Sequence, residues 1–267
     1  MLFRSNGTTT SDLQKIKDAG KIVVGMECAY APYNWTTSTA GDSTVAIANG
    51  VAGTYADGYD VVIASLIADY LNVDLEIKAI EWDGLIPALE AGEIDMIIAG
   101  MSPTEKRKLS IDFSDTYFDS NLVMVVKKGG AYENATSIQD FSGATVTGQL
   151  NTFHYDVIDQ INGVNKSTAL QDFAALIQSL ESDAIDAYVC EKPGAISAVA
   201  ANESFAFVEF TKENGFTCDP AESSISIGMR KGTSLLTRVN EILAGITTEQ
   251  REAMMDAAIA RQPASEE

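Results

Sequence analysis

From Lys21 onward, short runs of β-branched and apolar residues alternate with stretches whose apolar positions recur every three or four residues. KIVVGM, VDLEIKAI and IDMIIAG are the strand-like runs, and YDVVIASLIADYL and GLIPALEAG between them carry helical spacing. This alternation predicts βαβ units and a mainly parallel sheet covered by helices. The pattern restarts after Val123 with LVMVVKK, a polar stretch AYENATSIQD, a strand in ATVTGQ and a helix in TFHYDVIDQI. A further helical run, DFAALIQSLES, leads into AIDAYVC. Both halves place an Ile-Asp pair before an apolar strand (EIDMIIAG and AIDAYVCE), which suggests two similar α/β lobes. A late strand, SSISIGMRKG, precedes two helices, LLTRVNEILAGI and TEQREAMMDAAIARQ. The stretch between positions 35 and 58 is rich in Thr, Gly and Ala and longer than a usual connection, and a surface hairpin beside the cleft is preferred to a flexible loop.

The run AGMSPTEKR at 99–107 carries the first chemical signal. A buried strand ends at Gly100, and the spacing then predicts a helix with Ser102 at its N-cap, Pro103 at the first position and Glu105 closing a capping box. The free N–H groups of such a first turn favour an anion, and Arg107 can reach the same place and grip a carboxylate through two parallel hydrogen bonds. An ordinary capped helix whose arginine pairs with a neighbouring glutamate fits the same spacing.

Composition narrows the partners. The apolar fraction of 46% and charged fraction of 21% are those of a globular chain, and 267 residues supply ample core. A formal charge of −20 argues against nucleic acid and anionic membrane surfaces, and it mildly favours cationic or zwitterionic ligands. No stretch approaches the roughly 18–20 apolar residues of a transmembrane helix. The N-terminal MLFRSNGTTTSDLQ shows neither an apolar signal core nor a lipobox cysteine. Cys28, Cys190 and Cys218 match no zinc or redox spacing, and free thiols are expected for at least two. No GxSxG, HExxH, Walker or GxGxxG arrangement appears, so neither a cofactor nor a metal is expected. His154 is the single histidine and is read as a structural residue.

The landmarks G-Y-D before a helix, W-D-G-L-I-P-A-L, G-E-I-D, T-E-K-R and I-D-F-S-D-T-Y occur in that order between 58 and 118. In this the chain resembles the family 3 extracellular solute-binding proteins, the polar amino-acid-binding components of ABC importers, over roughly residues 20 to 255. The resemblance implies a two-lobed periplasmic-binding-protein-like fold with a ligand cleft between α/β lobes. Lobe one would comprise 1–119 with 223–267 and lobe two 120–222, with a hinge near 120–122 and 222–224. It further implies an extracytoplasmic location, periplasmic or lipid-anchored, with the secretion signal missing from this sequence and the first few residues vector-derived. A monomer that delivers a free L-amino acid to membrane permease subunits is the expected form.

A free amino acid presents a carboxylate, an ammonium and a side chain, and each must be satisfied after leaving water. For the carboxylate the candidates are Arg107, Ser102 and the backbone at Gly100, and the resemblance assigns the same positions. It adds Thr152 from the second lobe, which by itself reads as an N-cap. For the ammonium the candidate is Glu191, at the C-terminal edge of a strand where open α/β folds place ligands; the family usually has aspartate there. Pairing with Lys192 or solvent is its alternative. For the side chain the resemblance points to Glu27 flanked by the aromatic walls Tyr30 and Trp82, a set suited to a guanidinium or ammonium group. Core packing is the other reading of both rings. Gln149 and Cys190 adjoin cleft positions and are expected to tune selectivity, and Tyr33 and Trp35 would form a second aromatic layer or pack the lobe. Arginine is the favoured ligand, then lysine, histidine or glutamine, and an aromatic amino acid would also stack. Two other functions share the fold: a cyclohexadienyl dehydratase-like enzyme with Glu191 as proton donor, and a ligand-binding sensor module.

Overall fold

The computed structural model describes residues 11–219 and 223–262. The expected hinge position at 222 and the N-terminal stretch 1–10 lie outside the described residues. Helix α1 (Asp12–Ala19) is capped by the Ser11 side chain and stops at Gly20, which takes the left-handed conformation at φ 67°. Strand β1 (Lys21–Met26) follows and runs through the core. Short strands β2 (Ala29–Tyr30), β3 (Asn34–Thr37), β4 (Val45–Ala46) and β5 (Tyr55–Asp57) form an antiparallel four-stranded sheet in the order β2-β3-β5-β4. The preferred hairpin between 35 and 58 is therefore present.

Helix α2 (Tyr59–Leu71) occupies the YDVVIASLIADYL run and buries Val61, Ile63, Ala64 and Ile67. It starts at Gly58, whose φ of 132° and whose contact with the Tyr33 carbonyl, only 2.2 Å from where a Cβ would sit, leave room for glycine alone. Strand β6 (Asp74–Ala79) and helix α3 (Leu85–Ala91) come next. Strand β7 keeps only Met96–Ile97 of the long apolar run, because the chain turns away through Gly100 at φ 58°. Helix α4 (Glu105–Lys108), the long strand β8 (Ile111–Asp119) and strand β9 (Leu122–Lys127) follow.

The second half contains β10 (Thr145–Thr147), α5 (Phe153–Asp156), β11 (Asn165–Lys166), α6 (Phe173–Glu181), β12 (Ala187–Glu191), α7 (Lys192–Ala201) and β13 (Phe205–Val208). Strand β14 (Ser224–Arg230) and helices α8 (Leu236–Ala244) and α9 (Thr248–Arg261) complete the order. The expected helix at 152–161 is split: a 3-10 turn over Val157–Gln160 succeeds the single turn of α5.

Two five-stranded sheets organise these elements. The first runs β6-β1-β7-β14-β8 and the second β11-β10-β12-β9-β13. Three strands of each pair in parallel, as the alternation predicts, but β14 and β9 lie antiparallel to both of their neighbours. The sheets are therefore mixed. Both intruding strands adjoin a passage between the sheets: β9 follows β8 after Asp119, and β14 returns beside it with Ser224 opposite Asp119. Among the described residues no helix is long and apolar enough to cross a membrane.

Candidate functional site

A small cavity lies between the two sheets, lined by residues at or just beyond the C-terminal ends of β7, β10 and β12. Tyr30, Trp82, Gly100, Ser102 and Arg107 wall it on the side of the first sheet. Gln149, Thr152, Phe153, His154 and Glu191 wall it from the second. Eight of the ten residues singled out from sequence line or touch this space. Glu27, just past β1, joins it through Gln149, whose Nε2 donates to Oε1 at 3.1 Å and Oε2 at 3.3 Å. Cys190 is fully buried beside Tyr30 and Tyr33, and burial pushes its thiol well above the ordinary range. It does not line the cavity.

The local capping differs from the sequence expectation. Thr104, not Ser102, is the N-cap of α4: its hydroxyl accepts from the Arg107 N–H at 3.3 Å. The helix is a single turn, so its dipole supplies little, and what the stretch brings to the site is Arg107 itself. That guanidinium donates from Nη1 to the Ser102 carbonyl at 2.9 Å and from Nη2 to the Asn151 carbonyl at 3.1 Å. It also lies over the Trp82 ring, 5.0 Å from its centroid. Gly100 differs too. Its N–H donates to the Tyr117 hydroxyl at 3.2 Å and is thus taken. A Cβ at Gly100 would stand 3.2 Å from Tyr30, so the glycine gives that ring space.

Beneath Gly100 a buried polar network fixes both turns that carry the first-sheet residues. Asp60, fully buried in α2, accepts from Tyr117 Oη at 2.6 Å and from Asn34 Nδ2 at 2.8 Å, and Asn34 Oδ1 in turn accepts from the Cys28 N–H at 2.7 Å. Burial raises the Asp60 carboxyl to about 6 against the lowering effect of the hydrogen bonds from Tyr117 and Asn34. Tyr117→Phe, which strips one oxygen of its donor, is expected to cost about 1–3 kcal/mol. A fall in the urea midpoint at unchanged slope would show it, and an unchanged midpoint would remove the network from the account.

The aromatic walls are each covered on one face. Tyr30 stacks on Phe173 at 4.0 Å between centroids and 8° between planes, and its hydroxyl donates to Glu191 Oε2. Tyr33 tilts against Tyr30 at 4.9 Å, and both Tyr33 and Trp35 are buried, as a second packing layer requires. Glu191 does not pair with Lys192, which bridges instead to Glu209 at 2.7 Å. Its partners are Tyr30 and His154, whose Nε2 lies 2.8 Å from Oε1. His154 and Phe153 line the cavity and Phe173 backs the Tyr30 ring; none of the three is among the sequence candidates. His154 stands two positions after Thr152 at the start of α5, and that proximity was the available signal. Thr152 begins α5 without capping it, its hydroxyl donating to the Gln149 carbonyl at 2.7 Å.

The electrostatics of the site are uneven. Burial raises the Glu27 carboxyl to about 7; Gln149 lowers it, while Asp172, Glu81 and Asp83 add to the rise. Direct contacts also cross from one sheet to the other. Asn151 Nδ2 donates to Asp83 Oδ1 at 2.8 Å, beside the Arg107–Asn151 and Gln149–Glu27 contacts. The arrangement offers a cationic grip at one end, carboxylates at two others and aromatic faces between.

A family model of bacterial extracellular solute-binding proteins, family 3, matches residues 22–257. The arginine-binding extracellular protein ArtP of Bacillus subtilis (strain 168) is 26% identical over 228 residues, which span 84% of this chain and 79% of its own. The L-cystine-binding protein TcyJ of Escherichia coli (strain K12) is 28% identical over 235 residues, 87% and 79% of the two chains. An amino acid ABC transporter substrate-binding protein from Streptococcus pneumoniae Canada MDR_19A, solved with L-arginine bound, superposes with a TM-score of 0.80 over 94% of this chain and 98% of its own. At 24% identity that likeness concerns the fold.

Proposed function

The chain belongs to the bacterial extracellular solute-binding proteins, family 3, and on that footing we propose that it captures a free L-amino acid, arginine first, and delivers it to an ABC importer. Family membership carries an extracytoplasmic location; periplasmic release or lipid anchoring is the finer part of the proposal. The lobes are taken as 1–119 with 223–267 and 120–222, hinged where β8 passes to β9 and where β14 returns. Docking on permease subunits as a monomer completes the proposal.

One observation carries the choice of ligand. Glu27 is a partly buried carboxylate whose hydrogen-bond partner is a neutral amide and whose neighbours Asp172, Glu81 and Asp83 are acidic. A carboxylate of this kind is costly without a cation, and a guanidinium or ammonium side chain supplies one. Arg107 and Ser102 would hold the α-carboxylate with Thr152 opposite, Glu191 the ammonium, and the rings of Tyr30 and Trp82 the ligand's stem. Ligand contacts drawn from both sheets would favour the closed state by their differential strength. A neutral ligand such as glutamine is the second reading, because the Gln149 amide already shows that Glu27 accepts from a neutral donor. Catalysis of the dehydratase type is set aside, since these residues make a complete amino-acid site without a reaction.

A thermal-shift screen of ligand-stripped protein against the twenty amino acids, ornithine, citrulline and prephenate tests this. A selective, concentration-dependent rise with arginine or its basic relatives is expected. A rise confined to neutral or aromatic amino acids would sink the role given to Glu27. A response to prephenate alone would favour the enzyme.

A further inference from the structure

Both oxygens of Glu191 are engaged inside the protein. Oε2 accepts from the Tyr30 hydroxyl, and Oε1 faces His154 Nε2 at 2.8 Å. The carboxylate is 1% exposed and the imidazole 5%. Burial alone would raise the Glu191 carboxyl, but His154 and then Tyr30 outweigh it and hold the group below the usual carboxylate range. A carboxylate this deeply buried needs an opposite charge beside it, and His154 stands 2.8 Å away. The imidazole sits off the line of a good hydrogen bond, and its Nδ1 has no hydrogen-bond partner among the described residues. The pair has the closeness of an ion pair without the fixed alignment of a structural hydrogen bond.

The other groups around this imidazole are known. Tyr30 and Tyr33 face Glu191 from β2 and the turn that follows it, with Asp60 beyond Tyr33. Arg107 lines the same cavity from α4, Phe173 meets the imidazole edge-on from α6, Phe153 packs on it from α5, and Cys190 precedes Glu191 on β12. Arg107 is thus the other cation of the cavity wall, and the proposed ammonium would be a third positive charge.

We propose that His154 is a further binding residue, which holds Glu191 as an imidazolium in the empty cleft and gives up its proton when the ligand's α-ammonium takes the carboxylate. This rests on the assignment of Glu191 to the ammonium. The empty pair has no net charge. An ammonium arriving beside an intact imidazolium would leave one deeply buried carboxylate facing two cations. Loss of one proton to the buffer restores the balance: one N–H bond of the imidazolium breaks with its electron pair staying on nitrogen, and the proton forms a new bond to a buffer base or water. The neutral imidazole can then accept from the ammonium. His154 thereby makes the site selective for an amine, since a ligand with a hydroxyl or keto group at the α-position brings no charge to displace the proton.

The single histidine makes the test direct. Full-length protein carrying 15N-histidine is examined by NMR at about pH 6, free and with saturating L-arginine, or with L-glutamine where L-arginine gives no thermal shift. The expected result is imidazolium nitrogen shifts in the free protein and neutral imidazole shifts in the bound one. Calorimetry in two buffers of different ionisation enthalpy is expected to show His154→Gln releasing about one proton fewer than the wild type on binding. An amino acid that raises the melting temperature while His154 keeps the same protonation state in both forms would overturn the proposal and spare the binding function. Absence of any thermal shift with any amino acid would overturn both.

Discussion

Arg107→Ala is expected to weaken L-arginine binding roughly 30- to 4,000-fold, the range set by truncating one partner of a hydrogen-bonded charge pair at about 2–5 kcal/mol. The guanidinium is held from three sides, by the Ser102 and Asn151 carbonyls and by the Trp82 ring, so its direction is set before a ligand arrives. Such preorganisation reduces what binding must spend on ordering. Lysine at 107 keeps the charge but not the planar fork with its two parallel donors, and is expected to recover only part of the loss. Titration calorimetry of the three proteins measures this. An Arg107→Ala protein binding within about threefold of the wild type, below 1 kcal/mol, would remove the carboxylate grip from the account.

Glu27→Gln is expected to act in opposite directions on the empty and the loaded protein. In the empty protein the Glu27 carboxyl is raised from 4.5 to about 7. A carboxyl raised by folding contributes stability that is fully present below its unfolded pKa and is lost as pH rises through the folded one. The window is therefore 4.5 to about 7, and the loss is about 3 kcal/mol at 1.4 kcal/mol per unit. Glutamine cannot ionise, so the empty variant is expected to gain on the wild type as pH rises through that window and to melt higher at pH above 7. Its affinity for L-arginine, by contrast, should fall at least tenfold, because the side-chain cation loses its counter-charge. In the wild type that affinity should itself decline as pH drops below about 7 and Glu27 takes up a proton. Melting curves from about pH 4 to 8, with and without L-arginine, show both effects. Equal arginine affinity in the two proteins would remove Glu27 from the ligand's side chain.

The fold was legible wherever hydropathy periodicity ran long. β1 and α2 coincide with KIVVGM and YDVVIASLIADYL because both lie in the core, where burial and pattern agree. β7 and α5 were overdrawn for different reasons: the chain leaves β7 towards the turn at Gly100, and after Asp156 it tightens into a 3-10 turn that still buries Val157 and Ile158, neither of which apolar spacing distinguishes from a continued element. The strand direction of β9 and β14 was not readable either, since antiparallel entry follows from the chain crossing between sheets, a long-range event. At the proposed site, the candidates read from sequence stand on strand ends and turns, where charge has few structural uses. Thr104 displaced Ser102 as the cap because both satisfy the same local rule, and spacing cannot choose between them. His154 and Phe173 were missed because a lone histidine and a phenylalanine opening an amphipathic helix read as packing. Only the partner surface, Glu191 for one and Tyr30 for the other, gives them a role.

Titration calorimetry of ligand-stripped wild-type protein with L-arginine and with agmatine, which is arginine without its carboxylate, tests the central claim most directly. A single site for L-arginine, with agmatine weaker by two orders of magnitude or more (about 3 kcal/mol), is the predicted result, since the cleft is held to grip both ends of a free amino acid. Equal binding of the two, or no heat from L-arginine where a neutral amino acid binds, would contradict it.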